Sequence, residues 1–281
     1  LYYKQWGDLK SYANSKGIQI IGDIPIYVSM NSVDVWTNQN LFKLNQKGEM
    51  LMQSGCPPDY FIKTGQVWGH PIYDWPNHKK TNYEWWLNRI SFLFEKVDII
   101  RIDHFNGFAK YWEVPAKDSN GLKGQWIAGP GKKLFDLIQK KIGNKIILAE
   151  DLGEASQDAK KIREPLSIPG MKILQFSFGN GRPLEDIEEN TVVYTGTHDN
   201  NTTLGWWQST DRVTKVNVLA MTGETDDIVG SMIDLAKNCD SPLCIIPIQD
   251  LLRLDSSGRM NVPGVEQGNW QWQFHWNDLK L

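Results

Sequence analysis

Residues 97–105, with the sequence VDIIRIDHF, form an apolar, β-branched run that carries Asp103 near its end. Five further runs of this kind occur along the chain, at residues 18–28, 145–153, 171–179, 191–199 and 243–252. Their apolar residues are continuous rather than alternating, which is typical of strands covered on both faces of a parallel sheet. The pattern predicts an α/β fold.

Three of these runs contain acidic residues at or near their ends, namely Asp103, Glu150 and Asp199. In α/β barrels the catalytic side chains lie at the carboxyl ends of the strands. We therefore interpret these three carboxylates as candidate catalytic residues.

Helical patterns with readable ends lie between the runs. Thr81 and Glu84 have the spacing of a capping box that opens a helix. Pro130 is expected to open a second helix that stops at Gly143, and Thr225 is expected to cap a third. The alternation of strands and helices predicts a parallel sheet with crossover helices.

Two stretches, 29–80 and 106–130, are too long and irregular to be simple crossovers. Both follow a predicted strand, and long ordered loops in that position often form the walls of active sites. No repeat or linker interrupts the sequence. We predict one catalytic domain over residues 1–281, with 29–80 as a long active-site loop.

Composition restricts the possible partners and the compartment. The 281 residues carry a net charge of −3, so the chain lacks the basic surface that nucleic acid requires, and no apolar run reaches the length of a membrane span. The three cysteines, Cys56, Cys239 and Cys244, have neither metal-site nor disulfide-framework spacing. These features favour a cytoplasmic protein with no nucleic acid or membrane partner.

Each candidate carboxylate also has a structural interpretation. Arg101 and Asp103 point to the same face of an extended strand, where the guanidinium could hold a nucleophilic carboxylate ionised or form a buried structural pair. Glu150 could be a general acid whose pKa is raised by burial, or part of a helix cap, for which Asp151 is the better candidate. The sequence alone leaves these alternatives open.

His198 and Asp199 could instead be a pair of metal ligands. The chain has only five histidines, and no two of them are four residues apart on a helical pattern. We therefore predict no metal and no cofactor.

The chain contains thirteen tryptophans, which favours a sugar as the ligand because the apolar faces of sugars stack on aromatic rings. Trp85, Trp86 and Trp112 occur in patterns typical of a core. Tyr60 and Trp68 lie in a loop punctuated by proline and glycine, where we expect them to stack on a ligand. Together with the carboxylates, they indicate retaining glycosidase chemistry.

Seven motifs then identify a family. In chain order they are GDIPIYV, PPDYF-x-x-TGQ-x-WG-x-P-x-Y-x-W, RIDHF-x-G, LAEDLG, PGMKILQF, YTGTHDN-x-TT and GNWxW. Their order and spacing resemble the 4-α-glucanotransferases known as amylomaltases or disproportionating enzymes, which form glycoside hydrolase family 77. The resemblance spans nearly the whole chain.

The resemblance implies a role for each residue of the site. Asp103 resembles the nucleophile, Glu150 the general acid and base, and Asp199 the third carboxylate, which grips sugar hydroxyls. The residues that resemble substrate-binding positions are Asp23, Tyr60, Gln66, Trp68, Arg101, His198 and Asn269. The implied substrates are malto-oligosaccharides and α-1,4-glucans.

The resemblance also implies a TIM (β/α)8-type barrel, of which we count six of eight strands, so we expect this chain to be a fragment of a longer protein. The implied activity is 4-α-glucanotransfer by a retaining double displacement. The alternatives are a retaining α-glucan hydrolase with the same carboxylates, or an inactive glucan-binding fragment.

Overall fold

The structure is a computed structural model that describes residues 1–58, 63–153, 155–179, 187, 189–265 and 267–279. The chain divides into two compact units, residues 1–170 and 171–281, each with its own hydrophobic core. The expectation of a single domain over 1–281 stays a prediction.

Strands and helices alternate along the described residues. The strands are β1 Ile21–Pro25, β2 Met52–Cys56, β3 Gln66–Pro71, β4 Ile99–Asp103, β5 Lys110–Pro115, β6 Gln125–Ala128, β7 Ile146–Ala149, β8 Gly170–Ile173, β9 Thr191–Tyr194 and β10 Leu243–Ile245. The α-helices are α1 Tyr2–Ser15, α2 Val33–Thr37, α3 Trp75–Lys80, α4 Glu84–Lys96, α5 Lys132–Ile142, α6 Ser156–Arg163, α7 Thr203–Ser209, α8 Arg212–Thr222, α9 Ile228–Lys237 and α10 Ile248–Leu251. Five of the six runs predicted as strands contain one, and the run at residues 171–179 overlaps β8, which begins one residue earlier.

A parallel sheet in the first unit has the strand order β1-β4-β7. Its register pairs Asp23 with Arg101 and Ile102 with Ala149. The central strand β4 is buried because helices and loops cover both faces, and its Ile100 and Ile102 have no exposed surface. Since the strands are parallel, their carboxyl ends meet at one edge of the sheet, where Asp103 and Glu150 lie.

The two stretches predicted as irregular loops pair with each other. They supply a four-stranded antiparallel sheet of order β3-β2-β5-β6, which the sequence did not indicate. Its strands contain glycine and proline, residues that are uncommon in strands. Close packing of β2 against β3 explains the glycine at position 55. A Cβ at Gly55 would lie 2.3 Å from the backbone oxygen of Gln66, so only glycine permits this approach of β2 to β3.

The second unit contains a sheet of order β10-β9-β8, in which β9 and β10 are parallel. Helices α7, α8 and α9 belong to the same unit, and Val229, Met232 and Ala236 of α9 are buried in its core. The described residues form three separate sheets, so a closed barrel stays a prediction.

Two predicted helix caps are wrong. Helix α4 begins after Tyr83 without a side-chain cap, because the hydroxyl of Thr81 donates to His78 O at the end of the preceding helix. Helix α9 is capped by Asp227 rather than by Thr225, whose hydroxyl accepts from the Asp227 N–H. In both cases the threonine hydroxyl bonds a backbone group two or three residues away along the chain instead of capping the helix. Among the described residues, no helix combines the length and the apolar character needed to cross a membrane.

Candidate active site

Arg101 links two carboxylates at the end of the parallel sheet. Its Nη2 lies 2.8 Å from Asp103 Oδ1, and its Nε lies 3.2 Å from Asp23 Oδ1. The Arg101 side chain is 10% exposed, whereas that of Asp103 is 41% exposed. The strands therefore present a solvent-accessible carboxylate that a buried guanidinium holds in place.

Glu150 directly follows β7 and is joined to the end of β4 by its backbone. Its N–H donates to Ile102 O at 3.0 Å, and its carbonyl accepts from the Phe105 N–H at 2.8 Å. Its side chain is fixed as well, because Oε2 accepts from the His104 N–H at 2.7 Å. These bonds hold Glu150 beside the strand that carries Asp103.

The pKa of Glu150 is raised from its ordinary value to about 7. Desolvation by burial is the largest cause, and the negative charge of Asp103 adds to it. The Arg101 charge and the hydrogen bonds from the His104 and Leu152 backbone lower the pKa, but they offset only part of the rise. A carboxyl with this pKa carries a proton part of the time at neutral pH, as a general acid must.

His104 adopts a left-handed backbone conformation, with φ 49° and ψ 48°, which is uncommon for a residue other than glycine. This conformation places its N–H against Glu150. Burial lowers the pKa of its imidazole to about 4, so the ring is neutral at pH 7. A Cβ at Gly107 would lie 2.7 Å from Ile26 Cδ1 and 3.2 Å from His104 Cδ2, which explains the glycine there.

Trp68 lies beside this group. Its ring centroid is 4.9 Å from that of His104 in an edge-to-face arrangement, and its Nε1 donates to Gln66 Oε1 at 3.2 Å. The indole is half-buried and also contacts Tyr27. Asp23, Gln66, Trp68 and the two carboxylates thus belong to one contact network, whereas Tyr60 lies outside the described residues.

The remaining predicted residues belong to the second unit. Asp199 follows β9 and is 46% exposed, and its Oδ1 accepts from Asn261 Nδ2 at 2.6 Å. His198 Nε2 lies 3.4 Å from Asp199 Oδ2. Arg259 donates to the carbonyl of Asp199, so segment 259–261 fixes both ends of this aspartate.

Asn269 differs from the expectation of a sugar-binding side chain. Its Oδ1 accepts from the Val262 N–H, and its Nδ2 donates to the carbonyls of Val262 and Val265. The amide therefore ties a loop together, and its role as a sugar ligand stays a prediction. Reasoning from the sequence missed the next residue, Trp270.

Trp270 is 61% exposed and has a positive φ of 62°, which is unusual for a bulky residue. Its ring centroid lies 5.2 Å from that of His198, and its backbone N–H donates to Met260 O at 2.8 Å. The arrangement presents an exposed indole beside the residue that precedes Asp199. The motif GNWxW contains this tryptophan, but nothing in the pattern separates it from a core residue.

Within the described ranges, no group of three or more His, Cys, Asp or Glu side chains could hold a metal ion.

Comparison with known proteins gives a consistent result. A sequence model of the family described as 4-alpha-glucanotransferase matches residues 1–279. The chain is 46% identical over 280 residues to the chloroplastic/amyloplastic 4-alpha-glucanotransferase DPE1 of Arabidopsis thaliana, covering 97% of this chain and 48% of that protein. It is 43% identical to the 4-alpha-glucanotransferase of Synechocystis, covering 99% of this chain and 57% of that protein.

Among solved structures, the chain is similar to the amylomaltase from Streptococcus agalactiae in complex with acarbose. The TM-score is 0.94 at 39% sequence identity, over 98% of this chain and 57% of that one. The chain thus spans about half the length of the relatives it matches.

Proposed function

The chain belongs to the 4-alpha-glucanotransferase family, and from this premise we propose that the full-length protein transfers α-1,4-glucan segments between malto-oligosaccharides by a retaining double displacement. One observation carries the proposal. Two neighbouring parallel strands end in carboxyls with opposite environments: Asp103 is paired with Arg101, and Glu150 has a pKa raised to about 7. Carboxyl groups whose environments differ in this way can divide the roles of nucleophile and acid.

In the first step, Asp103 attacks the anomeric carbon of the donor while Glu150 gives its proton to the leaving glycosidic oxygen. A glycosyl ester forms at Asp103, and the shorter glucan leaves with a free hydroxyl. In the second step, Glu150 takes a proton from the acceptor hydroxyl, which attacks the ester and restores the α configuration. The raised pKa of Glu150 supports both of its roles.

Asp199 is proposed to grip hydroxyls of the donor sugar as the ring distorts. Its side chain is partly exposed and held by Asn261, which supports a fixed carboxylate facing solvent. Arg101 and His198 are proposed to support the same subsite. Asp23, Tyr60, Gln66, Trp68 and Asn269 are proposed to line the donor and acceptor subsites.

Transfer rather than hydrolysis requires that the acceptor sugar replaces water at the ester. Trp68 supports such a role, because its half-buried indole lies beside His104 on a strand of the antiparallel sheet. An aromatic face at this place can bind the apolar face of an incoming glucose unit. Without this contact, water becomes the acceptor and the protein acts as a hydrolase.

We further propose that the strands of this chain belong to a (β/α)8 barrel. Support comes from the parallel pairing of β1, β4 and β7 and from the likeness to an amylomaltase at 39% identity. A single catalytic domain and a cytoplasmic location are part of the same proposal, although the name of the Arabidopsis relative places that protein in plastids.

The test uses the full-length protein with maltotriose as both donor and acceptor. Transfer yields glucose together with oligomers longer than maltotriose, whereas hydrolysis yields only shorter products. The Asp103→Asn variant should form neither. A wild-type protein that binds maltotriose but leaves it unchanged would show a glucan-binding protein instead of an enzyme.

A further inference from the structure

A buried carboxylate in the second unit accepts three hydrogen bonds. Asp250 lies in α10, which begins three residues after the end of β10, and is 1% exposed. Its Oδ2 accepts from the hydroxyls of Thr195 at 2.6 Å and Thr203 at 2.7 Å, and its Oδ1 accepts from the Thr203 N–H at 2.8 Å. Such charge-assisted bonds are stronger and more directional than bonds between neutral groups.

The two threonines bracket the turn that carries Asp199. Thr195 directly follows β9, and Thr203 is the first residue of α7. The residues between them, 196–202, include His198 and Asp199. Asp250 thus fastens both the entry and the exit of this turn to one buried side chain.

A second buried side chain supports the same turn. Gln175 is 6% exposed, and its Nε2 donates to Asn201 O at 3.0 Å. A Cβ at Gly196 would lie 2.7 Å from that nitrogen, so the start of the turn packs directly against the amide. Gln175 therefore packs against the first residue of the turn, Gly196, and bonds Asn201 near its end.

The turn is also tight internally. The side-chain oxygen of Asn200 accepts from both the N–H and the hydroxyl of Thr197, each at 2.9 Å. Because these bonds restrain the turn, a displacement of the backbone at either end should also displace Asp199. We propose that Asp250 is a positioning residue that sets the placement of Asp199, and hence the rate of glucan transfer, without touching substrate.

This inference rests on the proposed function, since it concerns how that reaction is supported. The competing explanation is that Asp250 only stabilises the second unit. The two explanations differ because a purely structural residue lowers the free energy of unfolding without a specific loss of turnover.

The experiment compares Asp250→Asn with Met232→Ala in the full-length protein. Met232 is fully buried in the core of the same unit and lies in α9, outside residues 195–203, so Met232→Ala supplies a loss of stability for comparison. We expect Asp250→Asn to lower kcat on maltotriose by about tenfold or more, with KM changed less than kcat, because Asp199 acts mainly in the transition state. Met232→Ala should lower Tm but leave kcat unchanged.

Thr195→Val serves if Asp250→Asn does not fold, because it removes one donor and keeps both the carboxylate and the side-chain shape. Its expected effect is a several-fold loss of kcat at a small loss of Tm. A kcat for Asp250→Asn, or for Thr195→Val in its place, that falls no further than that of Met232→Ala would overturn the proposal.

Hydrogen exchange separates this inference from the proposed function. The amides of residues 197–203 should exchange faster in Asp250→Asn than in Met232→Ala. If the wild type proved inactive on α-glucans, the proposed function would fall, whereas unchanged exchange in the turn would reject the positioning role itself.

Discussion

The backbone N–H of His104 donates to Oε2 of Glu150 at 2.7 Å, and the left-handed conformation of His104 directs that N–H toward the carboxylate. The bond lowers the pKa of Glu150, yet burial and the Asp103 charge still raise that pKa to about 7. The Glu150 carboxyl is therefore fixed in position and carries a proton part of the time near neutral pH.

The first prediction concerns the pH dependence of activity. The first step requires protonated Glu150, so kcat/KM of the full-length protein should fall as pH rises through about 7, approaching a tenfold loss per pH unit above it. Initial rates on maltotriose between pH 5 and 9 measure this limb. A profile that stays flat up to pH 9 would remove Glu150 from the role of acid.

The second prediction concerns stability and has a definite sign. Because the folded-state pKa of Glu150 lies above its unfolded value, this group favours folding most at low pH and loses that contribution as pH rises through about 7. Glu150→Gln removes the buried charge, so it should raise Tm at pH 8 and change it little at pH 5. The corresponding gain in the free energy of unfolding at pH 8 is at most about 3 kcal/mol.

The matched control for this experiment is Glu95→Gln, at an exposed position of α4. It should shift Tm equally at both pH values. If Glu150→Gln also shifted Tm equally at pH 5 and pH 8, burial would not raise the pKa of the Glu150 carboxyl.

The third prediction divides the labour between the two carboxylates. Asp103→Asn should abolish turnover on every donor, because no ester can form. Glu150→Gln should still react with α-glucosyl fluoride, whose leaving group needs little acid help, and should accumulate the covalent intermediate because no base activates the acceptor. Mass spectrometry of digested protein should find the hexose on the peptide that contains Asp103, and a hexose elsewhere contradicts the assignment.

The fourth prediction concerns Trp68. Trp68→Ala should raise the fraction of glycosyl ester lost to water, measured as the ratio of reducing ends to transfer products from maltotriose. Trp86→Ala is the control, since removal of this fully buried indole should lower the free energy of unfolding by about 3–5 kcal/mol. A transfer-to-hydrolysis ratio that is unchanged in Trp68→Ala while Tm falls sharply would make Trp68 a core residue.

The fifth prediction concerns Trp270, whose indole is exposed beside His198. If it stacks on glucose, Trp270→Ala should raise KM for malto-oligosaccharides several-fold at constant Tm, in line with about 0.5–1.5 kcal/mol for an aromatic contact. Trp276→Ala, which removes an indole that is 80% exposed, should leave KM unchanged. Equal values for the two variants would exclude a binding role for Trp270.

The strands of the parallel sheet could be predicted because a strand buried on both faces needs apolar residues without interruption, as residues 99–102 show. The antiparallel sheet could not. Its central pairing joins β2 to β5, nearly sixty positions apart, and β2 is short and contains Gly55. Nothing local in such a segment indicates its partner.

The site divides in the same way. The positions of Asp103 and Glu150 could be predicted because each lies at the carboxyl end of an apolar run, and that of Arg101 because it is two residues before Asp103 on the same strand. The left-handed turn at His104 and the exposure of Trp270 result from packing between distant segments, and the residue types alone do not indicate them. The bonds of Asn269 to its own loop could not be predicted either, because the motif does not indicate which backbone groups its amide meets.

Gly107 couples two positions that share no chemistry. A methyl group there would press on Ile26 from one side and on the His104 ring from the other. Because Cδ1 is the flexible end of the Ile26 side chain, we expect Gly107→Ala to cost less stability together with Ile26→Val than alone, so the effects of the two substitutions should not be additive.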